Sequence, residues 1–240
     1  MKKGGAGEEE MSEPTFPREM AEDMVRARIE ERLEEEYEEK RMVVPALTIS
    51  RQLGSGGRVL AGKVGERLDW SVWDAGIVDR IAEDAGLRRE LVEDLDERIK
   101  SDLHSAMAEL FGREILDSLT FKRRLVETIL SIARGGRCIF VGRGANFALP
   151  QAFHVRVCAP EDVRLRNLMQ FDKLTEEVAR KRIRSVERER AKFIRKHFRC
   201  ENIGDPLLYD LVINTGRCSL DAAAEVIVMC VRERFGLGAG

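Results

Sequence analysis

The sequence predicts a three-layer α/β/α fold built on a five-stranded parallel sheet, preceded by an acidic helix. Three observations carry this prediction. Five short apolar runs, rich in β-branched residues, alternate with helical patterns from residue 43 onward, as in sheets covered on both faces. A glycine-rich turn, Gly54-Ser55-Gly56-Gly57, joins the first run to the helix that follows it. The composition, 43% apolar and 35% charged over 240 residues, allows one sizeable core beneath a charged surface.

The elements follow in order. Residues 1–16 are rich in Gly and Glu and are expected to lack order. Residues 17–41 read as a helix, with Met20, Met24, Ile29, Leu33 and Tyr37 at roughly helical spacing and mixed charge elsewhere. Such a helix either rests one stripe on the domain or offers a contact to a protein partner. Val43–Ser50 is the first strand, and the helix after the glycine turn carries Val59, Leu60, Val64 and Leu68. Trp70–Trp73 is a short second strand ending at Asp74-Ala75-Gly76. Residues 77–134 read as almost wholly helical. Arg137–Val141, closed by Gly142-Arg143-Gly144, and Phe153–Cys158, closed by Ala159-Pro160, are buried-strand candidates. A long charged helical region spans about 161–199. Tyr209–Asn214 is the fifth strand, and Leu220–Phe235 is a final amphipathic helix. The expected organisation is an acidic tail and helix over 1–43 and an α/β domain over 44–236.

Composition excludes several function classes. Aromatics make up only 6% of the chain, too few for a carbohydrate-binding β-sandwich or a stacking platform for single-stranded nucleic acid. No apolar run approaches the length of a membrane span, so no membrane partner is expected. Five cysteines, at 138, 158, 200, 218 and 230, form no C-x-x-C and no even set, which argues for reduced thiols rather than a disulfide framework or a zinc site. The N-terminus offers no apolar secretory segment, and a cytoplasmic location is expected. Charge is uneven: residues 1–41 hold 14 acids and 8 bases, the rest 29 acids and 33 bases. A body at +4 suits small anions and lacks the dense basic face of a duplex reader.

Strand, glycine turn and helix together present backbone N–H groups and a positive helix end to phosphate. The turn departs from the P-loop pattern G-x-x-x-x-G-K-[ST], in which lysine reaches the β/γ-phosphates and the hydroxyl ligates Mg²⁺. With Gly54-Ser55-Gly56 in register, Gly57 stands at the lysine, Arg58 at the hydroxyl residue and Arg51 at the first glycine. The backbone cradle of Gly54, Ser55, Gly56 and Gly57 is retained. Arg58 could supply charge one position late, as a fork rather than a point.

The run Thr48–Arg58 resembles the opening of the cytidylate kinase-like family, a branch of the P-loop nucleoside monophosphate kinases. Val141–Ala145 and Tyr209–Thr215 look like later blocks of the same family, and the resemblance covers roughly residues 44–235. It implies a P-loop kinase fold, ATP as phosphoryl donor with Mg²⁺, and a nucleoside monophosphate as acceptor. It also implies an acceptor-binding helical region over 75–134 and a lid at about 172–204. The D-T-G-A-x-Y-R block of cytidylate kinases is matched here by Asp74, Gly76 and Arg80, without the Thr or Tyr. Their G-R-D becomes Gly142-Arg143-Gly144, keeping the arginine and losing the carboxylate. Their D-x-x-R-A becomes Glu187-Arg188-Glu189-Arg190-Ala191. The resemblance therefore implies acceptor contacts from Asp74, Arg80, Arg143, Glu187 and Arg190, and leaves the metal ligand unnamed.

Residues 180–199 contain ten Lys/Arg and two Glu. A run of this kind reads as a solvated face, a nucleic-acid patch or a phosphate clamp. Its place between the fourth and fifth strands favours the clamp, with Arg184, Arg188 and Arg190 closing over a transferring group and nucleic acid not expected. Two functions stay open at this point. One is an ATP-dependent kinase of a nucleoside monophosphate or similar anion, which needs positioning and charge neutralisation more than covalent chemistry. The other is a catalytically lapsed nucleotide-binding regulatory module, favoured by the missing lysine and hydroxyl.

Overall fold

A computed structural model describes residues 45–81 and 113–238, with side chains from residue 120 onward in the second stretch. The expected acidic tail and helix, and much of the expected acceptor-binding region, lie outside the described residues. The chain divides into two units, Met1–Arg41 and Met42–Gly240, and the architecture below is that of the second.

Its elements are β1 (Ala46–Arg51), α1 (Gly57–Leu68), β2 (Ser71–Asp74), α2 (Arg113–Ala133) and β3 (Cys138–Val141). A short α3 (Ala145–Ala148), β4 (Phe153–Cys158), α4 (Glu161–Phe171) and α5 (Glu176–Phe198) follow. A 3₁₀ turn (Pro206–Leu208), β5 (Leu211–Asn214) and α6 (Leu220–Phe235) complete it. Residues 75–81 are helical as well. The five strands form one sheet in the order β2-β3-β1-β4-β5, and every pairing is parallel. The strand order puts β1 at the centre. Its neighbours leave in opposite directions, which opens a crevice beyond the carboxyl ends of the strands.

The core explains why the strands read as apolar runs. Leu47, Ile49, Ile139, Val155 and Val157 are fully buried and cluster with Leu60 and Val64 of α1 and Ile227 and Val231 of α6. Each such side chain contributes roughly 1.5–3 kcal/mol on burial. Phe140 alternates to the other face of β3 and is buried too, as are Leu125 and Ile129 of α2. Helices on both faces complete the three layers.

Several boundaries differ from expectation; the smallest shifts are those of β2, which is Ser71–Asp74 and not Trp70–Trp73, and β3, which begins at Cys138 and not Arg137. β1 begins at Ala46, because Pro45 has no N–H to give a ladder; its carbonyl instead accepts from Arg137 N at 2.7 Å. The helical region expected over 161–199 is two helices, broken where Asp172 closes α4, Lys173 takes a left-handed φ of 54° and Thr175 is extended before α5. Tyr209 closes the 3₁₀ turn, so β5 starts two residues later than expected. Two side chains also differ. Val59, on the apolar pattern of α1, is 56% exposed, and His197, within the basic run of residues 180–199, is buried between Phe121 and Phe193.

Candidate active site

The turn after β1 is an amide nest. Three of its carbonyls are engaged on the outside: Gln52 O accepts from the Ser55 hydroxyl at 2.8 Å, Gly54 O from Asn167 Nδ2 at 2.8 Å, and Ser55 O from Thr215 Oγ1 at 2.8 Å. The N–H groups of Gly54, Gly56, Gly57 and Arg58 have no acceptor among the described residues. Free N–H groups gathered at a helix start attract an anion. Gly54 has to be glycine: its φ is 80°, and a Cβ there would stand 2.7 Å from Arg164 O. Ser55 is buried, and its hydroxyl also lies 3.3 Å from Val157 O, so it braces the turn on β4. Beside the turn, Nε and Nη1 of buried Arg164 have no hydrogen-bond partner.

Next to the turn, a cavity of about 420 Å³ opens at the carboxyl ends of β1, β3 and β4. Arg51, Arg143, Arg156 and Arg190 line it, with Ser50, Phe193 and Tyr209. Arg143 has a left-handed φ of 58° between two glycines that also have positive φ, a conformation that costs a non-glycine residue about 1 kcal/mol. The turn aims its guanidinium over the Phe193 ring, 4.8 Å from the centroid, with Nε 3.0 Å from Asp79 Oδ2. Arg156 sits opposite Ser50 in the sheet register, is buried, and donates to Ser50 Oγ at 2.7 Å. The Tyr209 hydroxyl donates to Ile203 O at 2.8 Å and lies 3.2 Å from the same Ser50 oxygen.

Helix α5 closes the cavity. Arg190 Nη1 donates to Arg51 O at 2.9 Å and to Glu187 Oε1 at 3.0 Å, and Glu187 accepts the Leu53 N–H at 2.6 Å. Four guanidinium groups therefore crowd one pocket. Burial is the first cause that pulls Arg51 down to about 10, and repulsion from Arg190, Arg143 and Arg156 adds to it, offset in part by Glu187. Arg190 is lowered by burial too, with Glu187 opposing and Arg156 adding to the fall. An anion entering this cavity would relieve that repulsion.

The site expected from sequence is only partly assembled here. Arg143 and Arg190 line the cavity, and Glu187 braces the turn from α5. Arg58, at the start of α1, is outside the cavity lining with its side chain 80% exposed, in an ion pair with Asp74, whose other oxygen accepts from Gly76 N and Ile77 N. Arg80, Arg184 and Arg188 are exposed and outside the cavity lining. The acid that pairs with Arg143 is Asp79, while Asp74, implied as an acceptor contact, is held by Arg58.

The model of the cytidylate kinase-like family matches residues 46–217. The chain belongs to the cytidylate kinase-like family. No curated relative matches it in sequence. An uncharacterized protein from Eubacterium ventriosum is 19% identical in its crystal structure, covering 78% of this chain and 98% of that one at a TM-score of 0.58. At that identity the likeness shows the fold alone. A Thermus thermophilus protein, TT1252, aligns at 16% identity, 82% and 99% coverage and a TM-score of 0.45. A shikimate kinase from Bacteroides thetaiotaomicron aligns at 14%, 81% and 99%, and 0.42. Membership in the cytidylate kinase-like family supports a kinase of nucleotides or other small molecules, on a P-loop kinase fold.

Within this family member, sequence reasoning passed over Arg51, Arg156 and Tyr209. Arg156 hides inside an apolar strand, where the mismatch between a charged residue and a buried run was the available signal. Arg51 ends β1 one residue before the turn and reads locally as a polar strand end. Arg156 bonds Ser50 of a different strand, and the guanidinium groups around Arg51 come from elements distant in sequence.

Proposed function

We propose that this protein is an ATP-dependent phosphotransferase that moves the γ-phosphoryl of ATP to a nucleoside monophosphate or a similar small anion. The observation that carries it is the juxtaposition of the amide nest at Gly54–Arg58 with the arginine-lined cavity across the end of β1. Gly54, Gly56 and Gly57 supply the donor cradle, with Ser55 as its brace. Arg58 stands at the helix start and can meet a donor phosphate by leaving Asp74. Arg143 and Arg190 receive the acceptor's anionic group, and Glu187 orients Arg190 and the turn together. In transfer, an acceptor oxygen bonds to the γ-phosphorus as the bond to the β-γ bridging oxygen breaks, and ADP leaves with that oxygen. What the chain supplies is alignment and neutralisation of charge on the moving group. Arg80, Arg184 and Arg188 would join the site only if the helices carrying them move towards it.

Mg²⁺ accompanies ATP in such chemistry. The position of the usual hydroxyl ligand is Arg58, and among the described residues no three His, Cys, Asp or Glu side chains gather where a metal could sit. Mg²⁺ that arrives with ATP keeps phosphate and water ligands and needs few from the protein; among the described residues no side chain is assigned to it. Among the described residues no helix is long and apolar enough to cross a membrane.

ADP release, followed with a panel of nucleoside monophosphates and small anionic alcohols, tests the proposal when ATP affinity is measured on the same preparation. Turnover on one or more acceptors supports it. ATP binding without turnover on any acceptor would favour a lapsed regulatory module.

A further inference from the structure

Two glycines far apart in sequence lie against one side chain. Gly57 stands where a P-loop carries its lysine, and a Cβ there would meet Arg51 Cβ at 2.6 Å and Cγ at 3.0 Å. Gly142, at the end of β3, would set a Cβ 2.9 Å from Arg51 Cζ. The Arg51 side chain thus runs from the end of β1 across the start of α1 and delivers its guanidinium to the β3 turn, inside the cavity. The position that lacks a lysine is occupied by an arginine that arrives from the other end of the turn.

That guanidinium makes no hydrogen bond or ion pair among the described residues. Arg143 has Asp79, Arg58 has Asp74, and Arg190 has Glu187. Arg156 has the Ser50 hydroxyl. Lys63, the nearest lysine in sequence, donates to Asp221 at 2.8 Å on α6. Among the described residues, Arg51 is therefore the cavity-lining cation left to be satisfied from outside, as buried Arg164 is beside the turn. A purely structural arginine would be expected to own a carboxylate or several carbonyl partners, because a buried unpaired charge is costly.

We propose that Arg51 takes the part of the absent loop lysine, binding the terminal phosphoryl of the triphosphate donor at the boundary between the amide nest and the acceptor cavity. This assignment rests on the kinase reading above. A planar fork there can hold two oxygens of one phosphoryl group, where a lysine would touch it as a point charge. It also explains why glycine is needed at both 57 and 142: any side chain at either position would displace the arginine. The assignment carries a stability signature. Arg51 is held charged against burial and three neighbouring guanidinium groups, so removing its charge should relieve the ligand-free fold while harming ligand binding.

The test uses the full chain and three proteins, the native form, Arg51→Met and Arg51→Lys. ATP and ADP affinities come from calorimetry, and ligand-free melting temperatures from thermal denaturation. Arg51→Met should bind ATP roughly tenfold to a hundredfold more weakly, the scale for losing a charged phosphate contact, while ADP affinity changes by about threefold or less. Its ligand-free melting temperature should rise. Arg51→Lys keeps the charge and should recover part of the ATP preference. Unchanged ATP affinity in Arg51→Met would overturn the assignment. So would a parallel fall in ATP affinity, ADP affinity and melting temperature, which would mark a structural arginine. If Arg51→Met does not fold, its stability signature is refuted, and an unaltered ATP-to-ADP ratio in Arg51→Lys would refute the binding role. Absence of ATP binding in the native protein would instead remove the kinase reading itself.

Discussion

Arg143 can be tested in a way that separates ligand binding from its contribution to the fold. It holds Asp79 through Nε at 3.0 Å and through Nη2, and it stacks on Phe193. The two side chains of the ion pair are 33% and 20% exposed, between the surface regime of about 0–1 kcal/mol and the buried regime of about 3–5 kcal/mol for a broken pair. Arg143→Met alone strands the Asp79 carboxylate, whose Oδ1 already lacks a partner, and should cost about 1–3 kcal/mol. At roughly 2–4 °C per kcal/mol for a domain of this size, the melting temperature should fall by about 2–12 °C. Adding Asp79→Asn removes the stranded charge and should recover most of that loss. Acceptor use should not recover: kcat/KM for the acceptor should stay about 10²–10³-fold down in both variants, with ATP affinity near native. Melting curves, ATP calorimetry and acceptor kinetics on the single and double variants decide the matter. If the double variant regains stability and acceptor turnover together, Arg143 is only the structural mate of Asp79.

Two further expectations come from the same geometry. Arg58→Ala should weaken ATP binding more than Lys63→Ala, because Arg58 is at the start of α1 whereas Lys63 is held by Asp221 against α6; calorimetry showing equal or reversed effects would refute this. His154 is half-buried, shares a hydrogen bond of 2.7 Å with Thr48 Oγ1, and is held below the usual imidazole value by desolvation, with Asp210 opposing. Its folded form resists protonation, so stability should fall as pH drops below about 6.5, where the unfolded imidazole gains a proton first. His154→Gln should flatten that part of a melting-temperature profile; an unchanged slope would refute the assignment.

The parts of this fold legible in the sequence are those fixed by local chemistry. Phe153–Cys158 and Leu220–Phe235 have the bounds expected, since each has an unbroken pattern between strong turn residues. The glycine turn is legible for the same reason. What escaped detection depends on contacts between distant elements. His197 looks exposed within a basic run, yet α5 turns it towards Phe121 of α2. Arg51 acquires meaning only when Gly57 and Gly142 are seen to leave it a channel. Arg156 finds its partner through the pairing of β4 with Ser50 of β1. The break between α4 and α5 was signalled by Thr175-Glu176-Glu177, a cap residue followed by acids, inside a stretch whose charge density masked it.

The central claim is that the nest and the arginine cavity hold the two ends of one phosphoryl transfer. It is tested most directly by following labelled γ-phosphoryl from ATP in the full chain, across the panel of nucleoside monophosphates and small anionic alcohols. The account predicts label on at least one acceptor, with the transfer sharply reduced in Arg51→Met and in the Arg143→Met, Asp79→Asn double variant. Label that stays on ATP with every acceptor, or leaves only as inorganic phosphate, would contradict it.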